Sequence, residues 1–246
     1  MKVAIRKPVR AEAGFSLIEL MIVILLLSVI MGSVFSQLDL VQKRFRSEQS
    51  KMDIVQTARE FMDQMIRDVH QNAFPNLRMY QAGVLTGTAP YYQDSALNAV
   101  GIVYIDAAQI RFEGDVAGDG NVYAVAYKLF PASTNAGDEN CPCLRRSQVL
   151  KADGVAPIAQ SVDYRTQVEN LSTTNTNIFS TYNIDGVQVP LGTGITRTNF
   201  NPVDMSAVEN TIYTLQIQLN VQGARSDIGT SQRPQVFLTA TAQLNN

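Results

Sequence analysis

Residues 15–35, FSLIELMIVILLLSVIMGSVF, contain one ionisable side chain, Glu19, in a run of 21 residues that are otherwise apolar or small. As a helix rising 1.5 Å per residue this run measures roughly 31 Å, enough to span the hydrocarbon of a bilayer. A carboxylate at the bilayer centre costs about 2.5–3.5 kcal/mol on insertion scales. Glu19 therefore needs either a cationic partner or an escape route to the headgroups by snorkelling. Lys2, Arg6, Lys7 and Arg10 crowd the residues before the run. By the positive-inside rule they predict a cytoplasmic amino terminus, with everything after residue 36 outside the cytoplasm. Loss of residues 1–14 would remove these four cations and Glu12, taking the formal charge from −2 to −5.

A secretory signal carries its small-residue cleavage site after the apolar core. Here Ala11, Ala13 and Gly14 precede the core, and only VFSQ at 34–37 offers a conventional site. An uncleaved anchor is the other plain reading, and neither gives Glu19 a task. The stretch from Gly14 to Val23, GFSLIELMIV, resembles the class III signal of type IV prepilins and of type II secretion pseudopilins. That resemblance implies cleavage between Gly14 and Phe15 by a membrane aspartyl peptidase, methylation of the new amine on Phe15, and an assembly role for Glu19. The physical content is charge pairing: the amine of one subunit and Glu19 of a neighbour are each costly in lipid and less so together.

Residues 36–72 lack Pro and Gly, and Leu38, Val41, Phe45, Met52, Val55, Met62, Met65 and Val69 recur at spacings of three, four or seven. This is an amphipathic helix, its stripe widened by Ile54, Ala58, Phe61 and Ile66. With the apolar run it predicts one helix from Phe15 to about Asn72, with Gly32-Ser33 the place to bend or melt and the FPN at 74–76 the stop. A coiled-coil stalk is the alternative use of 36–72.

After Pro75 the period changes to two. AQIRFEGD (108–115) and VYAVAYKLF (122–130) flank GDGN and predict a hairpin. IYTLQIQLNVQ (212–222) sets Tyr213, Leu215, Ile217, Leu219 and Val221 on one face, and QVFLTATAQLN (235–245) alternates likewise. Further strands are predicted near 145–151, 158–166 and 178–189. The stretches 132–143 and 169–177 read as surface loops. The expected fold class is α+β, a long amino-terminal helix packed against an antiparallel sheet. Its parts are a leader (1–14), a membrane or filament-core half-helix (15–35), an amphipathic half-helix (36–72) and a β-rich head (73–246).

Patches of the head, among them QTAREFMDQMIRDV, GDGNVYAVAYKL, PIAQSVDYRTQV and the closing TATAQLNN, are similar to the larger minor pilins of the PilW type, and J-type pseudopilins share much of this pattern. The resemblance implies a type IV pilin fold and a minor pilin that primes or caps an extracellular pilus. Implied partners are other minor pilins, the major pilin, the prepilin peptidase and the inner-membrane assembly platform. A single-pass protein of the inner membrane, later part of a pilus, follows from it. The reading from a different class is a signal-anchored exoplasmic binding or catalytic domain.

Other chemistry finds little support. There is no phosphate-binding GxxxxGK[ST] loop and no HExxH, and the sole histidine, His70, falls in the helical stretch as a surface residue. An enzyme and a cofactor are not expected, and neither is nucleic-acid binding at a net charge of −2. Asp115, Asp119 and Asn121, with Glu113, form a calcium-loop candidate, although Asp-Gly is also hairpin-turn chemistry. Cys141 and Cys143, one residue apart, read as incidental thiols, a local or intermolecular bridge, or a redox pair.

Overall fold

The computed structural model describes residues 14, 16–75, 94–131, 141–172, 177–196, 211–223 and 233–244. It is an α+β fold in which one long amino-terminal helix packs against antiparallel sheets. Helix α1 is Leu17–His70, 54 residues. Its residues up to Glu48 belong to one compact unit, and those from Gln49 onward belong to a second unit with the rest of the chain. The helix runs through Gly32 and Ser33 without melting, contrary to expectation. The Ser33 and Ser28 hydroxyls donate to the carbonyls of Ile30 and Ile24, both at 2.8 Å, so neither brings an unsatisfied donor to the surface of the apolar segment.

In the second unit the apolar stripe turns inward. Ala58, Phe61, Met62, Met65 and Val69 are buried, and Ile54, Val55 and Ile66 are half-buried. Fully burying a side chain such as Met65 or Val69 contributes roughly 1.5–3 kcal/mol. The earlier stripe residues Leu38, Val41, Phe45 and Met52 are exposed. Asp39 and Lys43 form an exposed i,i+4 ion pair at 2.6 Å.

Among the described residues the head holds two sheets where one was expected. The first comprises β1 (Ile102–Ile105), β2 (Gln109–Gly114), β3 (Tyr123–Phe130), β4 (Cys143–Leu150), β5 (Arg165–Val168) and β8 (Ile195–Thr196), ordered β5-β4-β3-β2-β1-β8. The second comprises β6 (Phe179–Tyr182), β7 (Gln188–Val189), β9 (Thr214–Gln222) and β10 (Gln235–Gln243), ordered β10-β9-β6-β7. All strand pairs are antiparallel. The sheets meet where the Leu171 N–H reaches the Pro142 carbonyl while Leu171 bridges Val221. They meet again where the Ala107 carbonyl accepts the N–H groups of Ile178 and Phe179. Both sheets and the helix share one core, in which Phe61 meets Tyr127 edge-on at 5.6 Å and Leu215, Ile217 and Leu219 enclose the other side.

Several strand expectations shift. The predicted hairpin is β2–β3, but Gly114 pairs with Tyr123, so its loop spans 115–122 and is not a two-residue turn. The 158–166 strand is a 3₁₀ turn at Pro157–Ala159 followed by β5, because the Gln160 amide ties the Ala152 N–H and the Ala152 and Val155 carbonyls into a folded loop. The 178–189 stretch is itself a hairpin, β6–β7, turned by the Asn183 side chain accepting the Asp185 and Val187 N–H groups. Tyr213 lies outside β9 and is 40% exposed, its N–H held by the Tyr182 carbonyl. Residues 132–140 and 173–176 of the two expected surface loops lie outside the described residues, while Leu171 and Ser172 of the second are buried, Leu171 bridging Val221.

The helix end is joined to β2 by an unusually close approach. The Ala73 N–H donates to the Glu113 carbonyl at 3.0 Å, and Asn72 forms an isolated bridge with Gly114. A Cβ at position 114 would sit 2.1 Å from the Gln71 carbonyl oxygen, so only glycine fits. Gly114→Ala is expected to destabilise the protein by about 1–3 kcal/mol, read as a lowered midpoint in chemical denaturation. An unchanged midpoint would mean that this contact is not needed.

Candidate functional site

The amino-terminal site is simple in its geometry. Glu19 occupies the first turn of α1, where the helix dipole favours a negative charge. Its neighbours Leu17, Ile18, Leu20 and Met21 are between 55% and 77% exposed, so the carboxylate stands on an apolar surface open to the surroundings. No side-chain hydrogen bond or ion pair joins Glu19 to another described residue. Gly14 is exposed, with open space around its Cα, while Phe15 lies outside the described residues. Among the described residues α1 is the one helix long and apolar enough to cross a membrane.

The head holds two buried charged clusters that the sequence did not disclose. Asp68, on the last turns of α1, accepts the Tyr127 hydroxyl at 2.5 Å and the Arg146 guanidinium through Nε at 2.8 Å and Nη2 at 2.7 Å. Arg146 Nε also reaches the Tyr127 oxygen at 3.0 Å. Burial, together with the Asp68 charge, holds the Tyr127 phenol well above its usual pKa. Burial works against the Arg146 charge, but Tyr127 and Asp68 outweigh it and leave the guanidinium pKa raised. The second cluster is the Lys151–Glu113 pair at 2.6 Å, with side chains 0% and 1% exposed. Lys151 Nζ also donates to the Asn98 carbonyl at 2.8 Å, and Glu113 accepts the Val100 N–H at 3.2 Å. Burial lowers the Lys151 pKa, and Glu113 opposes that shift. Both clusters cross-link elements distant in sequence: the alternation of β4 puts Arg146 on the core face with Leu144, paired with Tyr127, whereas that of β2 puts Glu113 on the face away from Ile110 and Phe112, where it is buried against Lys151.

The calcium-loop candidate does not assemble. Glu113 turns into the interior toward Lys151. Asp115 accepts the Asp119 and Gly120 N–H groups, and Asp119 accepts the Asn121 N–H and the Tyr123 hydroxyl. Those hydrogen bonds, from Asn121 first and Tyr123 next, keep the Asp119 pKa low. The carboxylates thus build the 115–122 loop, and among the described residues no group of three or more His, Cys, Asp or Glu is placed to hold a metal ion. Cys141 and Cys143 are bonded to each other across a Cα separation of 4.3 Å at the start of β4. His70 is exposed at the helix end. An open groove of about 300 Å³ between Ser50–Thr57 and Thr166–Asn170 has no histidine, cysteine or lysine in its walls.

Residues 9–35 match the family model of the prokaryotic N-terminal methylation motif. The match supports a protein of the type IV pilin or pseudopilin class. It takes in Gly14, Phe15 and Glu19 together with the apolar run, and is consistent with membrane anchoring. No curated protein and no solved structure gives a significant match to the chain.

Two measurements test the head chemistry. Asp68→Ala removes one partner of a buried ion pair and is expected to cost about 3–5 kcal/mol in denaturant titration. Tyr104 donates its hydroxyl to Asp106 at 2.6 Å, and this bond, aided by burial and the carboxylate charge, pushes its pKa up to about 12. The unfolded tyrosine ionises first, near the ordinary phenol value of 10.0, so this contribution to stability is complete below that pH and is lost as pH rises through about 12. Ultraviolet titration of phenolate should show, apart from the buried Tyr127, a tyrosine ionising near 12 that moves back toward 10.0 in Asp106→Asn.

Proposed function

We propose that the chain is a minor type IV pilin, a structural subunit and not an enzyme, cut between Gly14 and Phe15 and methylated on the Phe15 amine. The observation that carries this reading is a methylation-motif match over residues 9–35 together with an exposed Glu19, its side chain without a partner among the described residues, in an otherwise apolar first turn. An isolated subunit bears the cost of a carboxylate among lipid tails. In a stack of subunits, the amine of a neighbour's first residue neutralises it and sets the axial register of one helix against the next. The residues from Leu17 to Phe35 then exchange lipid for the apolar flanks of other helices.

The Lys- and Arg-rich leader keeps the amino terminus in the cytoplasm and places the head on the far side of the membrane. A head of about 170 residues is bulky for a subunit repeated thousands of times. That bulk supports a low-copy position, priming or capping the pilus in the manner of PilW-type minor pilins. Its partners in this role are other minor pilins, the major pilin, the prepilin peptidase and the inner-membrane assembly platform.

Sequencing of the protein isolated from cells is expected to find N-methylphenylalanine, Phe15, as the first residue. A terminus at Met1 or near Gln37 would overturn the reading. Glu19→Ala is expected to insert into the membrane normally but to be lost from sheared filaments, and undiminished incorporation would remove the charge-pairing role.

A further inference from the structure

Strand β10 is the outermost strand of its sheet, paired with β9 on one side along all nine residues. The register shows which backbone groups are spent. The Pro234 carbonyl accepts the Gly223 N–H, and the Leu244 N–H donates to the Tyr213 carbonyl, so even-numbered residues face β9. In an antiparallel ladder the odd-numbered residues, Gln235 through Gln243, then direct their N–H and C=O groups to the open side. None of those groups hydrogen-bonds to another described residue. Their side chains are exposed, Phe237 at 64%.

An open edge of this kind is a template for another strand, and proteins ordinarily guard it with charge, proline, a bulge or brevity. The other sheet ends follow that rule: β7 and β8 have two residues each, and β5 has four including Arg165. QVFLTATAQ has no charge and no proline, and its nine pairs with β9 run without a bulge. It is the unguarded edge among the described residues.

The sequence of β10 also indicates what occupies that edge. Turned antiparallel about Thr239, the strand meets itself over its full length with both faces preserved. On the exposed face Gln235 comes opposite Gln243 and Phe237 opposite Thr241. On the core face Val236 faces Ala242 and Leu238 faces Ala240, so large side chains oppose small ones and like charges never meet. The odd-numbered residues fall opposite odd-numbered residues, the arrangement that closes about ten inter-strand hydrogen bonds.

We propose that β10 pairs with β10 of a second copy of this chain, about a two-fold axis through Thr239, joining two four-stranded sheets into one of eight. A single strand pair buries less surface than a standard stable interface, so the contact depends on the local concentration that a shared membrane supplies. The inference rests on this strand alone and is independent of amino-terminal processing.

The test is cysteine cross-linking of the full chain in membranes, where Cys141 and Cys143 are bonded to each other. Two Thr239 Cα atoms facing each other lie about 5.5 Å apart, inside the ~4.4–6.8 Å disulfide range. Thr239→Cys is therefore expected to give a reducible homodimer under mild oxidation. Gln235→Cys alone should give none, since its copies lie roughly 27 Å apart, whereas Gln235→Cys with Gln243→Cys should restore the dimer. Thr239→Lys added to that double variant sets two ammonium groups face to face and should abolish the dimer while leaving the thermal midpoint unchanged. Absence of dimer from both Thr239→Cys and the double variant overturns the proposal. So does an equal yield from Ile184→Cys, which is exposed away from the edge, or a cross-link to a different protein in place of the second copy.

Discussion

One continuous helix has to satisfy two surroundings. From Leu17 to Phe35 its large side chains are open on every face, whereas Ala58 to Val69 turn a stripe inward to fill the core of the head. The first demand disfavours ionisable groups, and Glu19 is the one that the segment carries. The second demand needs an apolar stripe with polar flanks, and the sequence changes from one composition to the other without a proline or a cap. The Ser28 and Ser33 hydroxyls fold back onto helix carbonyls, so neither adds an unpaired donor to the apolar half.

Docking of the helix onto the head is made specific by charge as much as by apolar contact. The apolar contacts of Phe61, Met65 and Val69 supply most of the burial free energy, but such contacts tolerate sliding by a turn. Asp68 does not: it must meet Tyr127 and Arg146 together, at one height and one rotation. The same is true at the helix end, where Gly114 admits the Gln71 carbonyl and Glu113 holds Lys151. Buried ion pairs contribute little net stability because desolvation offsets much of their attraction. Here they fix a single arrangement of helix and sheet.

The two sheets differ in how they end, and the difference bears on assembly. Short terminal strands close three of the four sheet edges, while β10 is long, uncharged and open. A head with one open edge combines with one further strand and then has no edge left to extend. As proposed, helix stacking draws on the apolar flank of α1 and edge pairing on a backbone ladder, so the two would be separate contacts.

Much of this was legible from residues alone. The apolar run, its lone carboxylate and the methylation signal are local patterns of residue type, and so is the alternation of β9, where Leu215, Ile217, Leu219 and Val221 all lie inside. Period and composition report the solvent that a segment meets, because burial acts residue by residue along a regular element. The division into two sheets, the short strands β1 and β8, and the folding of 157–168 into a turn and a brief strand were not legible, since two-residue strands and side-chain-held loops carry no periodic signal. Nor was the fate of Glu113: its spacing from Asp115 and Asp119 suggested a cation site, yet it is buried on the face of β2 away from Phe112, against a lysine 38 residues away. The sequence by itself determined which segments bury apolar surface and which residue types enter lipid. Only the tertiary structure decided which buried charges meet, which glycine must stay a glycine and which strand edge remains open, because those depend on distances between segments that no local pattern encodes.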